Sequence, residues 1–142
     1  MAIELGTKVV KDTQSYNDYA IGISLPLQFD NNTFTQTFQT SEQVKSNIKN
    51  LLLTKKGERI LQPEFGSGLQ ELLFEINDDQ LADKIENTIV DTMAMWLPYI
   101  TVNNIDIRQS NELKNSNTVE ISISFRVGDT PNLESVTFNA QV

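Results

Sequence analysis

The chain contains neither cysteine nor histidine among its 142 residues. Disulfides, thiolate nucleophiles, imidazole bases and the usual transition-metal ligands are therefore excluded. Any catalysis would depend on carboxylates, lysine, tyrosine or serine. Positive charge is also scarce, because 11 basic residues stand against 19 acidic ones and leave a net charge of −8. A chain this acidic lacks the basic surface that sequence-independent binding to nucleic acid requires.

Long apolar runs are missing as well. No stretch approaches the ~20 apolar residues of a membrane-spanning helix, and the N-terminus lacks the pattern of a signal peptide. We therefore expect a soluble cytoplasmic chain with no membrane partner. The length suits one domain, and the polar, weakly periodic residues 1–19 indicate an N-terminal arm that precedes a single domain over residues 20–142.

The first apolar pattern lies in residues 20–29, where large apolar side chains occupy alternate positions from Ile21 to Phe29. Such alternation is typical of a half-buried strand, and Pro26 within it favours an edge strand or an extended arm. The next four residues, DNNT, are a turn signal. We expect the chain to return from this turn as a second extended piece with Phe34 and Phe38 on one face.

A helix is predicted after this segment. Thr40 and Gln43 have the spacing of a capping box, and Lys55 with Lys56 would favour the negative end of the helix dipole in the last turn. Gly57 can take the left-handed conformation that closes a helix. The apolar stripe of this helix consists of Val44, Ile48, Leu51 and Leu52.

A short helix and a longer one are predicted next. Leucines at 69, 72 and 73 indicate the short helix, and Asn77 or Asp78 can cap the longer one. The longer helix should run to about Trp96, because Pro98 cannot continue it. Its apolar stripe consists of Leu81, Ile85, Ile89, Met93 and Trp96, broadened by Val90 and Leu97.

The C-terminal third changes to the period of a strand. Apolar residues alternate without a break from Val119 to Val127 and again from Val136 to Val142. Before them, the phase of the alternation shifts near Asn103, which predicts a bulge or bend. Three consecutive strands with short polar links predict an antiparallel meander. With the N-terminal extended segment, the sequence predicts an α+β fold in which two main helices and a short helix cover a small antiparallel or mixed sheet.

The last strand is unusually open to pairing. Beyond Glu134 it has no charge, proline or glycine, so at a sheet edge it would lack the features that discourage another chain from adding on. It could therefore accept a strand from a partner, or it could instead pair inside the sheet with the segment from Ile21 to Phe29. The residues of the candidate acceptor strand are Val136, Thr137, Phe138, Asn139, Ala140 and Gln141.

The central stretch TKKGERILQPEFGSGLQELLFE lies between two apolar runs. Glu58 and Glu64 can be interpreted as an acid/base pair or as turn and cap residues. Phe65 is expected to plug the core. Arg59 and Glu64 could shape a docking surface for a partner, form an internal bidentate ion pair, or be two solvated charges.

This stretch, with SEQVKSNIKN before it and SLPLQFD further upstream, resembles the baseplate wedge proteins of contractile-tailed bacteriophages. That family is often called lysozyme-like, and it has a counterpart in type VI secretion baseplates. The resemblance is specific over roughly residues 40–77. The residues that match the recurring pattern are Gly57, Arg59, Pro63, Glu64, Phe65, Gly66, Leu69, Leu73, Phe74 and Glu75.

The resemblance implies a structural role rather than an enzymatic one. Members of the family lie around the tail tube in the baseplate, bind the core wedge subunits, and offer a sheet to which arms of the first sheath ring add strands. It further implies several copies in a sixfold assembly, a place in the virion tail baseplate, and assembly in the cytoplasm of the host bacterium. It implies no cofactor and no metal.

Two other functions are weighed against this one. A glycosidase needs two carboxylates across a sugar-binding cleft, one of them in an apolar pocket, and Glu58 with Glu64 or Glu71 with Glu75 can be nominated. A generic adaptor domain outside phage particles is the other alternative. The GSG of the central stretch lacks the pattern of a phosphate loop, and the acidic residues at 71–79 lack the spacing of a calcium loop.

Overall fold

The computed structural model describes residues 19–30, 33–73, 80–109 and 118–141. The elements are β1 (Gly22–Ile23), β2 (Phe29–Asp30), β3 (Thr33–Phe34), β4 (Gln36–Thr37), α1 (Thr40–Leu53), α2 (Leu69–Leu73), α3 (Leu81–Trp96), β5 (Ile100–Gln109), β6 (Thr118–Val127) and β7 (Glu134–Gln141). The predicted α+β fold, with three helices and a C-terminal meander, is confirmed. None of the helices in these ranges is both long and apolar enough to cross a bilayer.

The main sheet has three antiparallel strands in the order β5-β6-β7. The register between β5 and β6 shifts between Val102 and Asn104, which confirms the predicted bulge at Asn103. Strand β6 therefore lies at the centre, and both of its neighbours are edge strands within the described part of the chain. One face of the sheet is apolar and carries the fully buried Ile121, Ile123 and Phe125.

The helices cover that apolar face. Their predicted stripes enter the core: Val44, Ile48, Leu51 and Leu52 from α1, and Leu81, Ile85, Ile89 and Met93 from α3, are all buried. Helix α2 adds Leu69 and Leu73, and Leu97 is also buried. Trp96 is only half-buried, and Val90 is 41% exposed, so the prediction that Val90 broadens the stripe of α3 is wrong. For the other residues, the hydrophobic effect selects the same side chains that the 3.6-residue period predicts.

Several predicted helix ends are wrong. Helix α1 begins after Gln39 without a side-chain cap, because the Gln43 amide instead accepts from the Thr37 hydroxyl (2.6 Å) and donates to Asn47 (2.8 Å). The helix ends at Leu53, so its last turn contains no basic residue and both predicted lysines follow it. Helix α3 has Gln80 at its N-cap. The predicted caps Asn77 and Asp78 lie outside the described residues.

The N-terminal segment folds back on itself instead of forming one strand. Its chain bends at the cis Leu25–Pro26 bond; β1 then pairs with β4, and β2 with β3. The predicted return strand is confirmed. Pairing of this segment with β7 is not observed in the described residues, where its strands pair with the return strand instead. The predicted half-burial holds for Ile21 and Leu25, which are partly buried, but it is wrong for Leu27 and Phe29, which are 57% and 70% exposed. Residues 1–18 of the predicted arm lie outside the described ranges.

Candidate partner-binding surfaces

The first surface is the loop formed by residues 54–67, here called the elbow, which joins α1 to α2. Its two ends are bonded together: the Ser67 N–H donates to the Thr54 carbonyl (2.9 Å), and the Ser67 hydroxyl donates to the Leu52 carbonyl (2.6 Å). Ser67 is buried, so these bonds are shielded from competing water. The base of the elbow is therefore fixed to the end of α1.

Two glycines allow the backbone to close. Gly57 has φ +83° and lies in a turn that is closed by a hydrogen bond from the Glu58 N–H to the Lys55 carbonyl (3.1 Å). The Gly57 N–H donates to the Pro63 carbonyl (2.8 Å). The predicted positive φ is confirmed, but it serves this turn rather than the helix end. Gly66 has φ +120°, and a Cβ there would lie 2.5 Å from the Thr54 carbonyl oxygen.

Arg59 connects the elbow to both long helices. Its guanidinium donates to the Asn50 side-chain oxygen of α1 (3.1 Å) and lies over the Phe65 ring, 3.8 Å from the centroid. The Phe65 ring in turn meets Trp96 of α3 edge-on, with 5.2 Å between centroids. Cation–π and edge-to-face contacts of this kind are favourable, so the stack holds the elbow against the helix ends. The prediction that Phe65 plugs the core is confirmed in part, because its ring is half-buried against it.

The hypothesis of an internal Arg59–Glu64 ion pair is wrong. The ion pairs of the described residues include Lys45–Glu134 and Asp106–Arg108, and none of those described joins Arg59 to Glu64. Glu64 is exposed, because the guanidinium is directed toward Asn50 and Phe65 instead. Of the other residues of the recurring pattern, Pro63 is exposed, and Gly66, Leu69 and Leu73 are buried. Phe74 and Glu75 lie outside the described residues.

The tip of the elbow carries two apolar side chains that the sequence reasoning did not single out. Ile60 and Leu61 are each 95% exposed, more than any other large apolar residue described. A periodicity search misses them because they belong to neither a helix stripe nor a strand alternation. Their signal was simpler: they are two adjacent large aliphatic residues in a loop that, apart from Phe65, is polar or turn-forming.

The second surface is the free edge of β7, and its hydrogen-bonding groups follow from the register. The Gly128 N–H donates to the Tyr99 carbonyl (2.8 Å), so the backbone groups of Gly128 face β5. In a strand, successive residues direct their N–H and C=O groups to opposite sides. The bulged residue lies on β5, so the alternation along β6 is unbroken and its residues 119, 121, 123 and 125 face β7.

These β6 residues pair with residues 140, 138, 136 and 134 of β7. The N–H and C=O groups of the residues between them, Ser135, Thr137 and Asn139, therefore point away from the sheet. No other described strand covers them. Among the residues that the structure describes, strand β7 thus offers a row of unpaired donors and acceptors, here called the acceptor edge.

The side chains of β7 divide between the two faces. Val136, Phe138 and Ala140 are buried in the core, so these three predicted sheath-facing residues cannot contact a partner through their side chains. Thr137 and Asn139 are exposed, and the Thr137 hydroxyl lies 2.9 Å from the Ser122 hydroxyl on β6. The side chain of Gln141 lies outside the described residues. Only the polar face and the backbone of β7 are open to a partner.

The opposite edge, β5, differs from β7 in charge and shape. It contains the bulge at Asn103 and a local ion pair in which Arg108 Nη2 lies 2.6 Å from Asp106 Oδ2. The hydrogen bonds that Arg108 donates to the Asp106 carboxylate, followed by the charge of Asp106, raise the pKa of Arg108 above its usual value. Bulges and charges of this kind discourage strand addition. The two edges of the sheet are therefore unequal.

The carboxylates nominated for glycoside hydrolysis do not fit that chemistry. Glu58, Glu64 and Glu71 are all exposed, whereas a general acid of this type needs an apolar pocket that raises its pKa. Glu58 accepts a hydrogen bond from the Lys55 N–H (3.0 Å), which is the role of a turn residue. Glu75 lies outside the described residues. The hollow beside Glu58, about 870 Å³, is lined by residues 58–62 and has no aromatic side chain to stack on a sugar.

Solved structures that share this fold include three with a TM-score of 0.55 or more. A Geobacter sulfurreducens protein that carries the name tail lysozyme has a TM-score of 0.65 and 22% identity, over 73% of this chain and 92% of its own. A chain of the anti-feeding prophage baseplate has a TM-score of 0.55 and 20% identity, over 84% and 82%. A chain of the type VI secretion baseplate complex has a TM-score of 0.55 and 14% identity, over 70% and 91%.

Sequence comparison gives the more specific result. No curated protein matches the chain. The profile of the family described as baseplate wedge protein gp25 matches residues 39–132, well over half of the chain, and this range contains α1, the elbow, α2, α3, β5 and β6. It includes the central stretch on which the resemblance was recognised. This chain belongs to the baseplate wedge protein gp25 family.

Proposed function

We propose that this chain is a structural wedge component of the baseplate of a contractile injection machine, and that its β7 edge receives strands from the first ring of sheath subunits. The observation that carries the proposal is the outward-facing backbone of Ser135, Thr137 and Asn139, next to exposed side chains that bear no charge. Main-chain hydrogen bonds to such an edge provide affinity without requiring a pocket.

The inequality of the two edges supports β7 over β5 as the acceptor. A partner strand on β5 would have to follow a bulge and pass the Asp106–Arg108 pair. On β7 the alternation is regular over all eight residues. The start of β7 is further tied to α1 through the Lys45–Glu134 ion pair (2.7 Å), which holds the edge in place before a partner arrives.

The elbow is the surface that we assign to the other wedge subunits. The residues of the recurring pattern are concentrated there, and the bonds of Ser67, Gly57 and Arg59 hold its shape without a partner. A preformed loop loses little conformational entropy on binding. The proposal therefore gives the chain two contacts, sheath at the acceptor edge and wedge at the elbow. It also places several copies in a sixfold ring within the tail baseplate, as in the sixfold-symmetrised baseplate of the anti-feeding prophage.

The test replaces Thr137 by proline. Proline removes one outward N–H and places its ring where a partner strand would lie, but it leaves the bonds between β6 and β7 intact. We expect binding of the purified sheath protein to weaken about tenfold or more. Deleting β7 is a poorer test, because it would remove the buried Val136, Phe138 and Ala140 from the core.

The matched control is Thr137→Val, which also loses the hydroxyl contact with Ser122 but keeps the N–H. Circular dichroism and thermal unfolding establish that both variants fold. Sheath binding should survive in the valine variant and fail in the proline variant. Equal binding by the two would exclude β7 as the acceptor, and failure of the wild-type chain to bind sheath would overturn the proposal itself.

A further inference from the structure

Within the described part of the chain, no packing contact accounts for the apolar character of Ile60 and Leu61. Both are 95% exposed, so neither contributes appreciable buried surface to the fold. A large apolar side chain that stays in water adds no hydrophobic stabilisation to the fold. Its apolar surface contributes favourable free energy only when a partner buries it. Two such residues side by side at the tip of a loop therefore form a candidate anchor, here called the tip pair.

The tip pair is held in a fixed position. On one side, the Gly57 N–H bond to the Pro63 carbonyl (2.8 Å) closes the loop across its base, and the Gln62 N–H donates to the Arg59 carbonyl (3.3 Å) within it. The neighbouring Arg59 is locked between Asn50 and Phe65. Anchors that are ordered before binding lose less entropy on contact, which is a property of the residues that dominate interface energies.

The charge around the tip pair differs from that of the rest of the chain. The elbow contains three of the 11 basic residues and two of the 19 acidic ones, so it is slightly positive in a chain of net charge −8. Lys55 and Lys56 are both exposed, and the Glu58 carboxylate beside them accepts a hydrogen bond from the Lys55 N–H. A surface complementary to this one would have carboxylates opposite the two lysines.

We infer that the tip pair inserts into an apolar cleft of a neighbouring baseplate wedge subunit, and that carboxylates at the rim of that cleft pair with Lys55 and Lys56. The inference rests on the proposed function, because it specifies how the elbow contacts the wedge. It assigns the binding energy to Ile60 and Leu61, which lie between the pattern residues Arg59 and Pro63 but are not among them. The lysines contribute orientation and rate of association.

The test measures binding of this chain to the purified complex of the other wedge subunits of its particle. The variant Ile60→Ser with Leu61→Ser should raise the Kd about 100-fold, since the buried apolar area of both side chains is lost. The matched control is Ile23→Ser with Leu27→Ser, another exposed isoleucine and leucine at 44% and 57% exposure, and it should leave the Kd unchanged. Thermal unfolding of all variants checks that each is folded.

The charge component has its own variant. Replacing Lys55 and Lys56 by glutamine should raise the Kd and flatten its dependence on salt between low and high ionic strength, because fewer ion pairs are screened. If salt changes the Kd of this variant and of the wild type equally, the proposed carboxylates at the rim of the cleft are wrong. The tip pair would then account for the affinity without the lysines.

The outcomes separate this inference from the proposed function. If the wild-type chain binds the wedge complex and the tip-pair variant binds equally well, the anchor is overturned while wedge membership stands. If the control variant loses as much affinity as the tip-pair variant, the effect is nonspecific and the inference fails. If the wild-type chain binds neither wedge complex nor sheath, the proposed function itself fails. Sheath binding by the tip-pair variant should equal that of the wild type.

Discussion

At the scale of single residues, the elbow depends on side chains whose roles only become visible through their neighbours. An ion pair with Glu64 was one of three interpretations of Arg59 from the sequence, but its guanidinium lies on Phe65 and bonds to Asn50. A planar guanidinium can stack and donate at the same time, which lysine cannot do. The position therefore requires arginine for its shape as much as for its charge.

The only tryptophan of the chain can report on this stack. Replacing Phe65 by alanine removes the ring between Arg59 and Trp96, so the half-buried indole should gain contact with water. We expect Trp96 emission to shift to longer wavelength and the free energy of unfolding to fall by about 2 kcal/mol, from lost apolar burial and ring contacts. Fluorescence spectra and urea titrations measure the two effects. Glu64→Gln is the control and should change neither, and an unshifted spectrum in the Phe65 variant would contradict the stack.

Two neighbouring glycines allow a matched test of backbone geometry. Gly66→Ala places a Cβ 2.5 Å from the Thr54 carbonyl oxygen at φ +120°, so the elbow must distort. We expect a loss of about 2 to 4 kcal/mol of stability. Gly68→Ala meets nothing within 4 Å and lacks a positive φ, so it should be close to neutral. Urea unfolding compares the two variants. Equal midpoints would show that a Cβ at position 66 does not strain the elbow.

At the scale of elements, the helices and strands follow the sequence patterns while their ends do not. The stripes of α1 and α3 and the alternation of β6 and β7 were predictable, because burial against one core imposes one period on each element. The capping box of α1 was not, since Gln43 is recruited by Thr37, which the N-terminal return strand brings beside it. That contact depends on tertiary structure and has no local signature.

One ion pair connects two elements and predicts their coupling. Lys45 of α1 and Glu134 of β7 approach to 2.7 Å, with side chains 34% and 18% exposed. Replacing Lys45 by methionine keeps the stem that packs on the surface and removes the charge, so stability should fall by about 0.5 to 1 kcal/mol at low salt. The difference from the wild type should shrink in 1 M salt as the wild-type pair is screened. Thermal unfolding at both salt concentrations tests this, and a difference that does not depend on salt would mean that packing, not charge, is involved.

At the scale of the whole molecule, the sheet has two different edges, and the loop between α1 and α2 forms the elbow. Glycoside hydrolysis is poorly supported, because the nominated carboxylates that the structure describes are exposed. The chain also has no imidazole or thiol. The proposed role in assembly depends on two surfaces, the outward-facing backbone of β7 and the exposed apolar tip of the elbow. The two surfaces use different residues, so substitutions at one should leave binding at the other intact.

The sequence by itself determined the α+β class, the meander with its bulge, the apolar stripes of the helices and the family, because each depends on local period or on a contiguous pattern of residues. Tertiary structure decided the rest. It turned Arg59 away from Glu64, folded the N-terminal segment onto itself, and left β7 at an edge with the backbone of Ser135, Thr137 and Asn139 directed outward. These outcomes depend on which elements become neighbours, and that choice is made by the burial of the whole core rather than by any one segment.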